Sequence, residues 1–134
     1  MHNPVKYLLL FTSFLFINCS GKVKHEPNWE YLILNTGYTE NMTDLTDYQL
    51  KYLEKIKQDF KTVEKDAYLE AQKVFNDFYG DQNPLDEIDL SGLNLPKDNS
   101  ETWELYFESY GEEKYLIAIV IFDGLTIKGT TFVN

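Results

Sequence analysis

The stretch TWELYFESYGEEKYLIAIVIFDGLTIKGTTFV, residues 102–133, decides the fold. Trp103, Leu105 and Phe107 alternate with Glu104, Tyr106 and Glu108, the period of a strand buried on one side. Gly111-Glu112 and Asp123-Gly124 interrupt the run, and Asp-Gly is a strong two-residue hairpin signal. The segment reads as three antiparallel strands over Thr102–Ser109, Lys114–Phe122 and Leu125–Val133. The Asp-Gly turn sets Phe122 opposite Leu125, Val120 opposite Ile127 and Ala118 opposite Gly129. The Gly-Glu turn pairs Ser109 with Lys114, Phe107 with Leu116 and Leu105 with Ala118. Both registers gather Trp103, Leu105, Phe107, Leu116, Ala118, Val120, Phe122, Leu125, Ile127 and Val133 on one face, the expected core. The small Ala118–Gly129 pair is expected to let a helix come close.

The opposite face then carries Glu104, Tyr106, Glu108, Tyr115, Ile117, Ile119, Ile121, Thr126, Lys128, Thr130 and Phe132. A solvated sheet face is ordinarily polar, whereas this one has three isoleucines down its middle. Glu104, Tyr106, Tyr115, Ile117, Ile119, Ile121, Lys128 and Phe132 form the candidate binding face. Three readings stand side by side. Residues 81–101 fold over the face, a second copy covers it as a homodimer, or it binds a protein, peptide or glycan.

Upstream, Trp29–Leu34 reads as a strand ended by Asn35-Thr36-Gly37, and residues 35–44 as a polar loop. Thr46 and Gln49 form a capping box, with Leu45 placed to staple onto Leu50. An apolar stripe follows at helical steps through Leu53, Ile56, Phe60, Val63, Ala67, Ala71, Val74 and Phe78, and Gly80 ends it. One helix over residues 47–79 would be about 50 Å long, too long for a domain with a radius of gyration near ~13 Å. A bend or break is therefore expected over Lys61–Asp66. Residues 81–101 read as a long loop holding one short strand over Ile88–Leu95. The fold class is α+β: a three- to four-stranded antiparallel sheet, with a C-terminal meander, packed on one bent or two helices.

Twelve Lys, no Arg and 22 Asp plus Glu give a net charge of −10, which repels phosphate backbones and excludes nucleic acid as a partner. A single cysteine, Cys19, forbids an intrachain disulfide and a Cys-rich zinc site. His2 and His25 are the only histidines, and both lie outside the expected domain, so no Ser-His-Asp or Cys-His pair has a base there. Residues 81–89 offer oxygen ligands for calcium without the EF-hand order. No metal or other cofactor is expected, and the chain reads as a non-enzyme. A two-carboxylate hydrolase is the remaining catalytic alternative, although Glu104 and Glu108 would stand roughly 13 Å apart on one strand.

The amino terminus has its own physics. Lys6 precedes an eleven-residue apolar run, Tyr7–Ile17, and the first acid is Glu26. A helix of that length covers about 16 Å, half of the ~30 Å hydrocarbon core, and suits a signal-peptide apolar region. Phe16-Ile17-Asn18-Cys19 follows and resembles the lipobox of bacterial lipoproteins, with Phe16 and Asn18 where that family prefers Leu and a small residue. The resemblance implies a signal peptide over residues 1–18, cleavage before Cys19, and acyl chains that tie Cys19 to a membrane. It also implies a tether over residues 19–28 and a single domain over residues 29–134. Removing residues 1–18 takes away only Lys6 and leaves a charge of −11. No Asp follows Cys19, which resembles lipoproteins sent to the outer membrane. Ser20 and Gly21 equally suit an ordinary signal peptidase and a free secreted product, and a third reading makes residues 7–17 a buried helix. The expected role is envelope binding of a protein, peptide or glycan. The order of helix, loop and Trp-led meander, with the acidic charge, also resembles small immunity proteins that neutralise bacterial toxins.

Overall fold

The structure is a computed structural model in which residues 26–80, 88–109 and 116–134 are described. The expected signal peptide, Cys19, most of the expected tether, residues 81–87 of the calcium-like stretch, the expected Gly111-Glu112 turn and Tyr115 lie outside the described residues. Among the described residues, three α-helices precede four strands: α1 (Trp29–Asn35), α2 (Asp47–Gln58), α3 (Phe60–Tyr79), β1 (Ile88–Asn94), β2 (Thr102–Ser109), β3 (Ile117–Asp123) and β4 (Thr126–Val133). The strands form one antiparallel meander in the order β1-β2-β3-β4, so the fold is α+β as expected.

Residues 29–35 are helical, contrary to the strand expected there. Asn28 caps the helix by accepting a bond from the Tyr31 amide at 3.1 Å. Trp29, Leu32 and Ile33, spaced for one helical face, are buried, while Tyr31 between them is 55 % exposed. Trp, Tyr and Ile have strand propensity, but burial against the domain overrides it in so short a segment.

α2 starts on its capping box, with Gln49 N donating to Thr46 Oγ1 and Thr46 N donating to Gln49 Oε1, both at 3.1 Å. Leu45 is buried and Leu50 is 43 % exposed. The helical break falls at Asp59 (φ −108°, ψ 14°), not over residues 61–66. That position lets Phe60 begin α3 with its ring edge-on to Trp29, centroids 4.8 Å apart. Gly80 ends α3 at φ 88°, where a side chain would be strained. Phe60, Val63, Ala67, Ala71 and Phe75 make the buried stripe of α3. Phe75 is fully buried, whereas Val74 and Phe78 are partly covered at its margin.

α3 packs on β2, β3 and β4. Trp103, Leu105, Phe107, Leu116, Ala118, Val120 and Phe122 are all buried, as the alternation requires. The register is offset by two from the expected one: Leu105 pairs with Val120 and Phe107 with Ala118. A shift of two preserves which face each residue occupies. β4 begins in register with Asp123 opposite Thr126 and Phe122 opposite Ile127, around Gly124-Leu125 rather than Asp123-Gly124. A bulge then leaves Lys128 unpaired, so that Gly129 meets Ile121 and Phe132 meets Ala118. The Ala118–Gly129 pair does not form. Leu125 and Val133, expected in the core, are 40 % and 54 % exposed.

β1 completes the sheet at the other edge, so residues 88–94 extend the sheet instead of folding over its second face. The chain after β1 meets the start of α2, where Gln49 Nε2 donates to Pro96 O at 3.0 Å and Tyr48 Oη donates to Ser100 O. α1 packs on β1, and Asn35 Nδ2 donates to Ser91 O at 2.8 Å. A Cβ on Gly92 would meet Thr36 Cγ2 at 2.9 Å and Tyr106 Cβ at 3.2 Å. Gly92→Ala should accordingly destabilise the domain by about 1–3 kcal/mol. The expected readout is a lower denaturation midpoint at unchanged slope.

Candidate functional site

The second face is a grid built by the ladders. Across the middle of the sheet, Gly92, Tyr106, Ile119 and Thr131 stand in one row. Asn94, Glu104, Ile121 and Gly129 make the row on one side, and Asp89, Glu108, Ile117 and Val133 the row on the other. Ile117, Ile119 and Ile121 therefore run down β3 as expected, but they are not bare. Ile119 is 7 % exposed and its two neighbours are half-buried.

A polar rail runs beside this stripe. Tyr106 Oη donates to Glu104 Oε1 at 2.8 Å, and Asn94 Nδ2 donates to the same oxygen at 3.1 Å. Tyr38, on the segment after α1, brings its phenol close to that of Tyr106 and is itself 69 % exposed. One carboxylate oxygen thus orients two donors, while Oε2 has no hydrogen-bond partner among the described residues. Burial, then the Glu104 bond and charge, then Tyr38, push the Tyr106 phenol far above its ordinary value. Elsewhere, burial followed by the neighbouring Glu101 carboxylate pushes the Tyr52 phenol up to about 12.

Of the expected binding face, Glu104, Tyr106, Ile117, Ile119 and Ile121 share one surface. Phe132 does not belong to it. The bulge at Lys128 reverses the alternation beyond that point, and Phe132 lies on the helix side with its ring 5.7 Å from that of Phe78. The same bulge takes Lys128 out of the ladder and moves Thr130 to the helix side. Asn94 and Tyr38 complete the rail and were absent from the expected set. Asn94 enters only once β1 is in register, and no local pattern around Tyr38 marks it.

Other concavities have different chemistry. An open groove of about 860 Å³ lies by the α2–α3 junction, lined by Trp29, Phe60, Tyr68, three lysines (Lys57, Lys61, Lys65) and three acids (Glu26, Asp59, Glu64). Its charges balance, and the buried Trp29 Nε1 has no hydrogen-bond partner among the described residues. Among the described residues, no three of His, Cys, Asp and Glu are grouped to hold a metal ion.

The raised phenols fix a pH dependence. Below about pH 10 both Tyr52 and Tyr106 are protonated whether the chain is folded or not, and their contribution is complete. Above that pH the unfolded chain loses protons that the folded chain still holds, so stability falls as pH rises through 10 towards 12. Tyr106→Phe should make this decline shallower in denaturation midpoints measured along the alkaline series. Ultraviolet absorbance of the wild-type protein should show the Tyr52 and Tyr106 phenols ionising above the ordinary tyrosine value. Compared with known proteins, the chain matches no family model, no curated protein and no solved structure.

Proposed function

We propose that this chain is a bacterial envelope lipoprotein, cut before Cys19 and held at a membrane by acyl chains on that residue. Its small domain binds an envelope protein, peptide or glycan through the second sheet face and performs no chemistry of its own. The anchoring part rests on the order of Lys6, the apolar run over residues 7–17 and the lone Cys19. Two or three acyl chains, at ~0.8 kcal/mol per buried methylene, supply a firm hold without a spanning helix. No helix among the described residues is long and apolar enough to cross a membrane.

The observation that carries the binding part is the Tyr38–Tyr106–Glu104–Asn94 rail beside the half-buried isoleucines. Ile117 and Ile121 supply apolar contact, and Glu104 supplies an acceptor already oriented by two donors, a combination that favours directional recognition. An aromatic ring exposed at one end, that of Tyr38, gives a surface for stacking.

Intact-mass spectrometry of natively expressed protein should find a product beginning at Cys19 and carrying fatty acid. A product starting at Lys22, or one that keeps Met1 without lipid, overturns the anchoring. For the face, the double variant Ile117→Asp/Ile121→Asp should keep its far-ultraviolet dichroism and lose binding to isolated cell-envelope material by about tenfold or more. Unchanged binding by a folded double variant places the site elsewhere.

A further inference from the structure

The two edges of the sheet are treated differently. On β1, α1 packs along the strand and Asn35 donates to the Ser91 carbonyl at 2.8 Å, so the end of α1 occupies that edge. On β4, no described residue pairs with the outer edge. We propose that this edge pairs antiparallel with β4 of a second copy of the chain, making a closed dimer whose sheet runs continuously across the two-fold axis. This proposal stands independently of the anchoring and binding readings above.

Charge distribution selects the occupant. A molecule of net charge −10 repels its own copies wherever acids meet, yet residues 124–134 contain no acid and one cation, Lys128. Beyond the bulge, Gly129–Val133 is a regular, uncharged ladder of five residues centred on Thr131. With the axis at Thr131, each Lys128 lies three residues from the centre, so the two ammonium groups stand roughly 20 Å apart along the strands. That distance exceeds the screening length of ~8–10 Å at ordinary salt.

The segment is also complementary to itself in shape. The same axis sets Val133 opposite Gly129 of the second copy. Val133 is 54 % exposed in the single chain, and a side chain at Gly129 would meet nothing within 4 Å, so the valine has room there. It sets Phe132, 51 % exposed, opposite Thr130 on the helix side. Because the β1 edge is occupied, pairing ends at two copies and does not propagate into a filament.

Sedimentation equilibrium of the whole purified protein, in density-matched detergent where it carries lipid, should show a dimer that dissociates on dilution. Thr131→Asp and Thr131→Lys each place like charges face to face at the axis and should each be monomeric at concentrations where wild type is dimeric. Mixing the two variants should restore a dimer, since opposite charges then meet. A wild-type protein that stays monomeric at every concentration overturns the proposal, as do dimers that survive both single substitutions. A second measurement stands whatever the variants do. Amide exchange over residues 129–133 should slow as wild-type concentration rises, and exchange independent of concentration overturns the proposal as well.

Discussion

The structure depends on burying one face of β2 and β3 beneath α3. Trp103, Leu105, Phe107, Ala118, Val120 and Phe122 are nearly or wholly inaccessible, and Phe75 of α3 is as deeply buried. Full burial of each large apolar side chain is worth about 1.5–3 kcal/mol, set against the ordering of the chain that carries it. Trp103 Nε1, the polar atom of the largest of these, donates to Gly124 O at 2.6 Å, so the same residue that fills the core pins the β3–β4 turn. Fully buried Ala67, Ala71 and Ala118 are the small members of this layer. Once this face is fixed, the pleat fixes the other, and Glu104, Tyr106, Ile117, Ile119 and Ile121 have no alternative to the second face.

That constraint explains what could be read from the residues and what could not. Period-two alternation identified the core face even with the β2–β3 register displaced, because an error of two residues leaves the parity intact. The capping box at Thr46 and the stop at Gly80 were legible because each is local chemistry. The bulge at Lys128 was not, and it reversed the faces of everything after it, which is why Phe132 moved to Phe78 and Val133 left the core. α1 departs from the strand expected there because residue preferences in seven positions are weaker than the burial of Trp29, Leu32 and Ile33. Asn28 as a cap and the three-four spacing of those residues were the available signals. The break at Asp59 answers to the position of Trp29 beside Phe60, a contact between distant segments that no helical periodicity contains.

Gly92 links the closing of the fold to the candidate site. Its missing side chain lets Thr36 pack beside Tyr106, and the next residues then carry Tyr38 close to the phenol of Tyr106. Tyr106 in turn flanks the space a Gly92 side chain would need and holds Glu104 in place. Ser91, extra in the β1–β2 ladder, returns Oγ to the Tyr106 carbonyl at 3.3 Å and offers its own carbonyl to Asn35. The β1 bulge thus ties α1, the covered edge and the polar rail into one unit. Asn94 and Glu104 meet directly across this ladder, in the row next to Gly92 and Tyr106, so their geometry follows that of the bulge. Among the described residues the β4 edge shares none of these contacts, and the five regular residues beyond its bulge at Lys128 carry no charged side chain. Two irregularities of the same kind therefore have opposite consequences: one seals an edge and builds a polar surface beside it, and the other leaves a self-complementary edge exposed.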